Sequence, residues 1–142
     1  MNSKAVLTIT GRQRLDDIND KIELTTVGTV EETDDKFIIR YSEEQEPPDA
    51  PIHVTVKVFK DENTVHMIRS GEQSSLLIIE KGKRNLCQYG TPYGDIMMGI
   101  YGKAIENSLR DEEGTFNFGY DIDVNGSLTS QNEVRIDYRI NS

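Results

Sequence analysis

Arg69 is the charged side chain whose sequence position points most directly to chemistry. It shares strand parity with Val65 and Met67, and side chains two residues apart in a strand lie on the same face. If Val65 and Met67 face a core, Arg69 points inward at the mouth of the fold. A guanidinium there can bind a ligand carboxylate or phosphate through two parallel hydrogen bonds. One alternative is that the strand ends before Arg69. Another is that Arg69 pairs with an internal acidic residue such as Glu80, which shares parity with Leu76 and Ile78, since buried charges are usually paired within the protein.

Two tyrosines are candidate partners of Arg69 at such a site. The segment Thr91-Pro92-Tyr93-Gly94 can form a lid over an opening, with the hydroxyls of Tyr89 and Tyr93 at its rim. The alternative is a turn or bulge, because proline cannot donate to a β-ladder and glycine adopts unusual φ angles. We therefore predict ligand contacts at Arg69, Tyr89 and Tyr93.

One stretch has the partial pattern of a calcium site. Asp121, Asp123 and the Asn125-Gly126 pair match the first half of a calcium-binding loop, but the twelfth position is Asn132 where the motif requires glutamate. The flanking residues alternate as in strands, whereas the calcium motif needs helices. A β-hairpin explains the same residues, and we predict no metal site here.

The histidines and the single cysteine lack the spacing of a catalytic or metal-binding set. His53 and His66 have no metal-ligand neighbours at useful spacing, and we predict that both lie on solvent-facing sides of strands. Cys87 lies between Leu86 and Gln88 and is predicted to be a small packing residue. We therefore predict no catalytic residues, no metal and no cofactor. The sequence does not decide whether the protein is an enzyme, but this is the least favoured class of function.

The elements that must position Arg69 are strands. The last quarter of the chain alternates apolar and polar residues from 115 to 124 and again from 133 to 140, which is typical of strands with one buried face. Asn125-Gly126 between the two runs indicates a tight hairpin, because both residues tolerate a positive φ. Similar runs upstream span residues 5–10, 22–30, 37–41, 52–59, 65–69, 76–80 and 86–101.

This pattern predicts an all-β protein with a single domain over residues 1–142. The segment 103–110 is expected to be a strand or a bent connection, although Ile105 and Leu109 also fit a helix. Several glycines, including Gly28 and Gly102, fall in or beside strands. Because strand glycines usually mark bulges or sharp bends, which closed barrels require, a barrel is favoured over a sandwich.

The charge of the chain limits its partners. It carries 25 acidic and 16 basic residues, for a net charge of −9, which argues against nucleic acid and anionic membranes. One cysteine allows no intramolecular disulfide. No signal peptide and no apolar run of membrane-spanning length are recognised, so we predict a cytoplasmic protein.

Three short segments carry a resemblance to a known family. They are Met67-Ile68-Arg69-Ser70-Gly71-Glu72, the run Gln-Tyr-Gly-Thr-Pro-Tyr-Gly at 88–94, and Gly-Tyr-Asp-Ile-Asp-Val-Asn-Gly at 119–126 followed by Asn132. With this order and separation the chain resembles the bacterial, uncharacterised domain-of-unknown-function family typified by YwiB. The resemblance implies a calycin-like (lipocalin-like), mostly up-and-down antiparallel β-barrel of about 8–10 strands. It implies no activity.

The function predicted from the sequence is binding of a small molecule. A barrel of this size can hold one small ligand, and we expect a largely apolar or weakly acidic ligand in its mouth or interior. The alternative is a barrel with a packed core that acts through its surface, in which case a homodimer is open as an arrangement.

Overall fold

The computed structural model describes residues 2–44, 46–47, 50–71, 74–91 and 93–140, and of residues 89–91 the backbone alone. Ten strands follow one another along the chain. They are β1 (Asn2–Leu15), β2 (Ile18–Glu32), β3 (Lys36–Glu43), β4 (Ile52–Phe59), β5 (Thr64–Ser70), β6 (Ser75–Glu80), β7 (Arg84–Thr91), β8 (Gly94–Leu109), β9 (Glu113–Val124) and β10 (Ser127–Ile140). Among the described residues there is no helix long and apolar enough to cross a membrane.

The strands form one barrel in which every strand pairs antiparallel with its neighbours in sequence. The order is β1-β10-β9-β8-β7-β6-β5-β4-β3-β2, and β1 closes the barrel because it pairs with both β10 and β2. The predicted all-β, up-and-down antiparallel barrel is confirmed. Of the segment 103–110, residues 103–109 belong to the second half of β8, whose pairing with β9 is irregular between Gly102 and Ile105.

Alternation in the sequence places one face of each strand in the core. The largest fully buried side chains include Phe116 and Phe118 of β9, and the ring of Phe116 stacks on Tyr138 with centroids 5.5 Å apart.

Between β9 and β10 both turn residues have the positive φ that the Asn-Gly pair predicts, 54° at Asn125 and 85° at Gly126. The hairpin predicted from this pair is therefore confirmed.

Strand β6 faces the opposite way from the expectation that made Glu80 an internal acid. Leu77 and Ile79 are buried, whereas Leu76 is 44% exposed, and Glu80 shares the outer face with Leu76. The run Leu76 to Ile79 is apolar on both faces, so its alternation does not identify the inner one. The pairing of Leu77 with Met67 of β5 decides it, since directly opposed residues in a sheet point to the same side.

Gly28 marks the point where the pairing of β2 with β3 ends. A Cβ atom at Gly28 would lie 2.3 Å from the carbonyl oxygen of Arg40, so only glycine allows this close approach of β2 to β3. β3 pairs with β2 only over Thr29–Glu32, while β1 pairs with β2 from Asn2 to Leu15. The β1–β2 hairpin therefore continues beyond the pairing with β3, while β1 stays paired with β10 from Ala5 to Arg14.

Of the neighbouring strands, β6 and β7 share the fewest backbone register pairs among the described residues. Ser75 opposite Tyr89 is their one register pair within the described residues. Side chains of β7 bond to the β6 backbone instead: the Sγ atom of Cys87 accepts the N–H of Ile78 at 3.4 Å, and Asn85 Nδ2 donates to the carbonyl of Ile78 at 3.5 Å. Cys87 is buried, as predicted for a packing residue.

Candidate functional site

The inward faces of several strands form a pocket of about 810 Å³ at one end of the barrel. Its apolar lining consists of Ile9, Ile22, Leu24, Met67 and Val134 together with the rings of Tyr41 and Tyr120. These side chains continue the core faces of their strands toward the barrel mouth. The charged lining of the pocket consists of Arg12, Asp20, Lys21, Glu23, Glu43, Arg69 and Glu133. We call this space the mouth pocket. It combines an apolar lining with charged groups, which is typical of small-molecule sites.

An ion pair lies in the mouth pocket. Arg69 Nη2 donates a hydrogen bond to Glu43 Oε2. Arg69 lies on β5 and Glu43 on β3, and both reach inward past β4, whose Val54 pairs with Arg69 on one side and with Tyr41 on the other. The side chains are 36% and 24% exposed, so the pair is accessible from solvent.

The guanidinium of Arg69 retains donors for a second partner. It has five N–H groups, and one carboxylate engages at most two of them in the bidentate arrangement. Glu43 therefore neutralises part of the positive charge and orients the side chain without using all of its donors. An anion entering the mouth pocket would approach the remaining N–H groups.

Tyr41 supplies a neutral hydroxyl beside this ion pair. The pKa of Tyr41 is raised to about 12, chiefly by burial and also by the negative charge of Glu43, while Arg69 partly opposes this rise. Tyr41 is 7% exposed. At neutral pH its hydroxyl is protonated and can donate or accept one hydrogen bond.

The three predicted ligand contacts occupy different places. Arg69 points inward at the mouth, as its parity indicated. The backbone of Tyr89 pairs with Ser75 and Ile96, but its side chain lies outside the described residues, as does Pro92 of the lid segment. Tyr93 is 99% exposed in the turn between β7 and β8 and does not line the mouth pocket.

Sequence reasoning missed Glu43, Tyr41 and Tyr120. A signal for the first two was present, because Tyr41 and Glu43 continue the parity of Phe37 and Ile39 on β3. The same parity argument that placed Arg69 inward would have placed Glu43 inward as well. Tyr120 likewise follows the parity of the buried residues at the start of β9.

The residues considered for metal binding have structural roles. Asp123 accepts two hydrogen bonds from Arg84 at 2.8 and 2.6 Å and one from the N–H of Gly126 at 3.1 Å. The hydrogen bonds from Arg84 are the largest cause that lowers the pKa of Asp123. Within the described residues, no group of three or more His, Cys, Asp or Glu side chains could hold a metal ion.

Both histidines lie on outer faces of strands, as predicted. His53 is exposed, and its Nδ1 lies 3.0 Å from Ser42 Oγ. His66 packs edge-on against Phe59 with centroids 5.2 Å apart. Partial burial lowers the pKa of His66, and nearby Lys57 adds to this. Neither histidine lines the mouth pocket.

The fold and the site together define a ten-stranded antiparallel β-barrel with an arginine–glutamate pair in a partly apolar mouth. Residues 7–136 match the family described as "Domain of unknown function (DUF1934)". The chain therefore belongs to this family. The crystal structure of the YwiB protein from Bacillus subtilis has the same fold, with a TM-score of 0.84 and 22% sequence identity over 99% of this chain and 94% of that chain. The resemblance seen in the sequence is thus confirmed, and no curated protein matches the chain.

Proposed function

We propose that the protein is a binding module for a small, largely apolar molecule that carries an acidic group. The apolar body would occupy the mouth pocket, and the acidic group would meet Arg69. The observation that carries the proposal is an inward guanidinium in a partly apolar pocket that is open to solvent. We further propose that the barrel is calycin-like and acts in the cytoplasm.

The dimensions of the mouth pocket support a ligand of modest size. Its volume of about 810 Å³ lies within the range of about 300–1,000 Å³ that is usual for small-molecule sites. The barrel below it is filled by core side chains such as Ile39, Val56 and Phe118. The ligand would therefore lie at the mouth and would not extend through the barrel.

The ion pair supports an acidic group on the ligand. In the free protein Glu43 compensates the charge of Arg69, which lowers the desolvation cost of partly burying the guanidinium. A bound carboxylate, sulfonate or phosphate would share the guanidinium with Glu43, and Tyr41 could donate its hydroxyl proton to the same group. The anionic group of the ligand and the carboxylate of Glu43 would repel each other, so Glu43 lowers the affinity of the protein for the ligand.

Two fluorescent probes separate the apolar and charged parts of this proposal. 8-Anilinonaphthalene-1-sulfonate has an aromatic body and a negative charge, and N-phenyl-1-naphthylamine has a similar body without charge. We expect both probes to bind the wild type. Because hydrogen bonds to charged groups contribute about 1.5–3 kcal/mol, Arg69→Gln should weaken sulfonate binding about tenfold or more. Binding of the neutral probe should change by less than about threefold.

A second variant gives the opposite expectation. Glu43→Gln removes the competing negative charge and leaves Arg69 in place, so the sulfonate should bind about threefold to tenfold more tightly. Arg40→Gln is the matched control, since Arg40 forms a similar pair with Glu31 at 3.0 Å on the outer face. It should bind both probes like the wild type. Near-ultraviolet circular dichroism checks that each variant is folded.

Two outcomes would contradict the proposal. If Arg69→Gln and Glu43→Gln bind the sulfonate as the wild type does, the ion pair does not recognise the anion. If folded wild-type protein binds neither probe, and native mass spectrometry of freshly purified protein finds no bound small molecule, the packed-core interaction barrel is favoured instead.

A further inference from the structure

Strand β2 has a long edge that no other strand covers within the part of the chain that the structure describes. β1 pairs along one side of it, but β3 pairs with the other side only over Thr29–Glu32. On the side facing away from β1, the backbone of Ile18 to Gly28 has no register partner among the described residues. Unpaired N–H and C=O groups along an extended strand are a template for a further strand.

This edge lacks several of the features that usually prevent edge-to-edge association. Natural edges are shortened, bulged, interrupted by proline or lined with charged side chains. The free segment of β2 has the charges, at Asp20, Lys21 and Glu23, with Lys21 Nζ 3.9 Å from Glu23 Oε2. The free segment of β2 contains no proline, and its pairing with β1 has no bulge. It also exposes apolar side chains: Ile22 is 73% exposed, and Ile18 and Val27 are each 61% exposed.

The charges on this edge are complementary to those of a second copy. If two β2 strands pair antiparallel about Ile22, Lys21 lies opposite Glu23 of the second copy, and the reverse pair forms as well. The two Ile22 side chains then lie side by side. A register centred one residue earlier sets Lys21 against Lys21, and a register centred one residue later sets Glu23 against Glu23. Opposite charges directly across a strand pair stabilise it, and like charges destabilise it.

We propose that the chain forms a homodimer through antiparallel pairing of the two β2 edges centred on Ile22. The interface is isologous, because the same segment of each copy contacts its counterpart around a two-fold axis. The sheets of the two barrels become continuous across it. One strand pair buries less surface than a standard stable interface, so the dimer dissociates on dilution.

Sedimentation velocity over about two decades of protein concentration tests the dimer. We expect the mass to rise from the 16.1 kDa of one chain to twice that value. In the Glu23→Lys variant, Lys21 of each copy lies opposite a lysine at position 23 of the other copy. These like charges should raise the dissociation constant of the dimer by about tenfold or more. Added salt should reduce this difference, because the charges are exposed and screened.

The charge-swapped double variant is the decisive comparison. Lys21→Glu with Glu23→Lys restores both opposite-charge pairs, so its dissociation constant should return to within about threefold of the wild type. Glu112→Lys, in the exposed turn between β8 and β9, makes the same change in net charge as Glu23→Lys and should dimerise normally. Thermal melting of each variant verifies the fold of the barrel.

Three results would overturn the proposal. They are a wild-type protein that stays monomeric at the highest concentration, a Glu23→Lys variant that dimerises like the wild type, and a double variant as weak as Glu23→Lys. If the wild type stays monomeric, the unpaired edge of β2 is available to a strand of a different protein. Lys21, Ile22 and Glu23 also line the mouth pocket, so the probes are tested on wild-type protein dilute enough to be monomeric. Failure of the dimer test then leaves the ligand proposal intact.

Discussion

Tyr41 should make the protein lose stability in alkaline solution. The pKa of its hydroxyl is raised from 10.0 to about 12, chiefly by burial. The unfolded chain releases this proton above about pH 10, whereas the folded chain keeps it until about pH 12. Between these values the unfolded state binds fewer protons, so the free energy of unfolding falls as the pH rises. Below about pH 10 the contribution of Tyr41 is complete and independent of pH.

The size of the effect follows from the pKa difference between the folded and unfolded states. One pH unit corresponds to about 1.4 kcal/mol, so the interval from 10.0 to about 12 corresponds to about 3 kcal/mol in total. At about pH 11.5 most of this interval has been crossed, and the loss attributable to Tyr41 is about 2 kcal/mol. This is a large part of the stability of a small domain.

The assay is urea unfolding from about pH 8 to about pH 11.5, followed by circular dichroism. Tyr41→Phe cannot ionise at this position, so between these pH values it should lose about 2 kcal/mol less stability than the wild type. Tyr101→Phe is the control, since Tyr101 is 43% exposed on the outer face of β8, and it should follow the wild type. Other buried tyrosines affect all three proteins equally. An identical pH dependence in Tyr41→Phe and the wild type would refute the reasoning.

Two further substitutions test the packing of the barrel. Gly28→Ala places a Cβ atom 2.3 Å from the carbonyl oxygen of Arg40 and should lower the free energy of unfolding in urea by about 1–3 kcal/mol. Gly11→Ala is the control, since no atom lies within 4 Å of the added Cβ, and it should unfold like the wild type. Equal stabilities of the two variants would contradict the close approach of β2 to β3. Phe116→Ala removes a fully buried ring and should lower the free energy of unfolding by about 3–5 kcal/mol. Phe59→Ala, on the outer face, should lower it by less.

The strands were the most predictable part of this structure. The β9–β10 hairpin follows from apolar residues at alternate positions and from the positive φ tolerated by Asn125 and Gly126. Both signals depend on neighbours only a few residues away. The face of a strand was predictable wherever apolar residues occupied one parity, as around Val65 and Met67. It was not predictable in β6, because Leu76 and Leu77 are equally apolar and their faces depend on pairing with β5.

The site was only partly predictable for a related reason. Parity along β5 placed Arg69 at the inner face of the mouth. Its partner Glu43 is 26 residues away in sequence and reaches it across an intervening strand. The sequence pointed to Glu80, since it shares strand parity with the apolar Leu76 and Ile78, yet it faces outward. Which acid meets Arg69 depends on the order and register of β3, β4 and β5.

The sequence by itself determined the strands, the tight hairpin at Asn125-Gly126 and the inward direction of Arg69, because backbone preference and side-chain parity are local properties. The tertiary structure alone decided how the barrel closes, which acid pairs with Arg69 and where the edge of β2 is left without a neighbour. These features depend on distances between residues far apart in the chain. Such distances are set by strand register and by close contacts such as that of Gly28 with β3, and they arise only when all ten strands assemble.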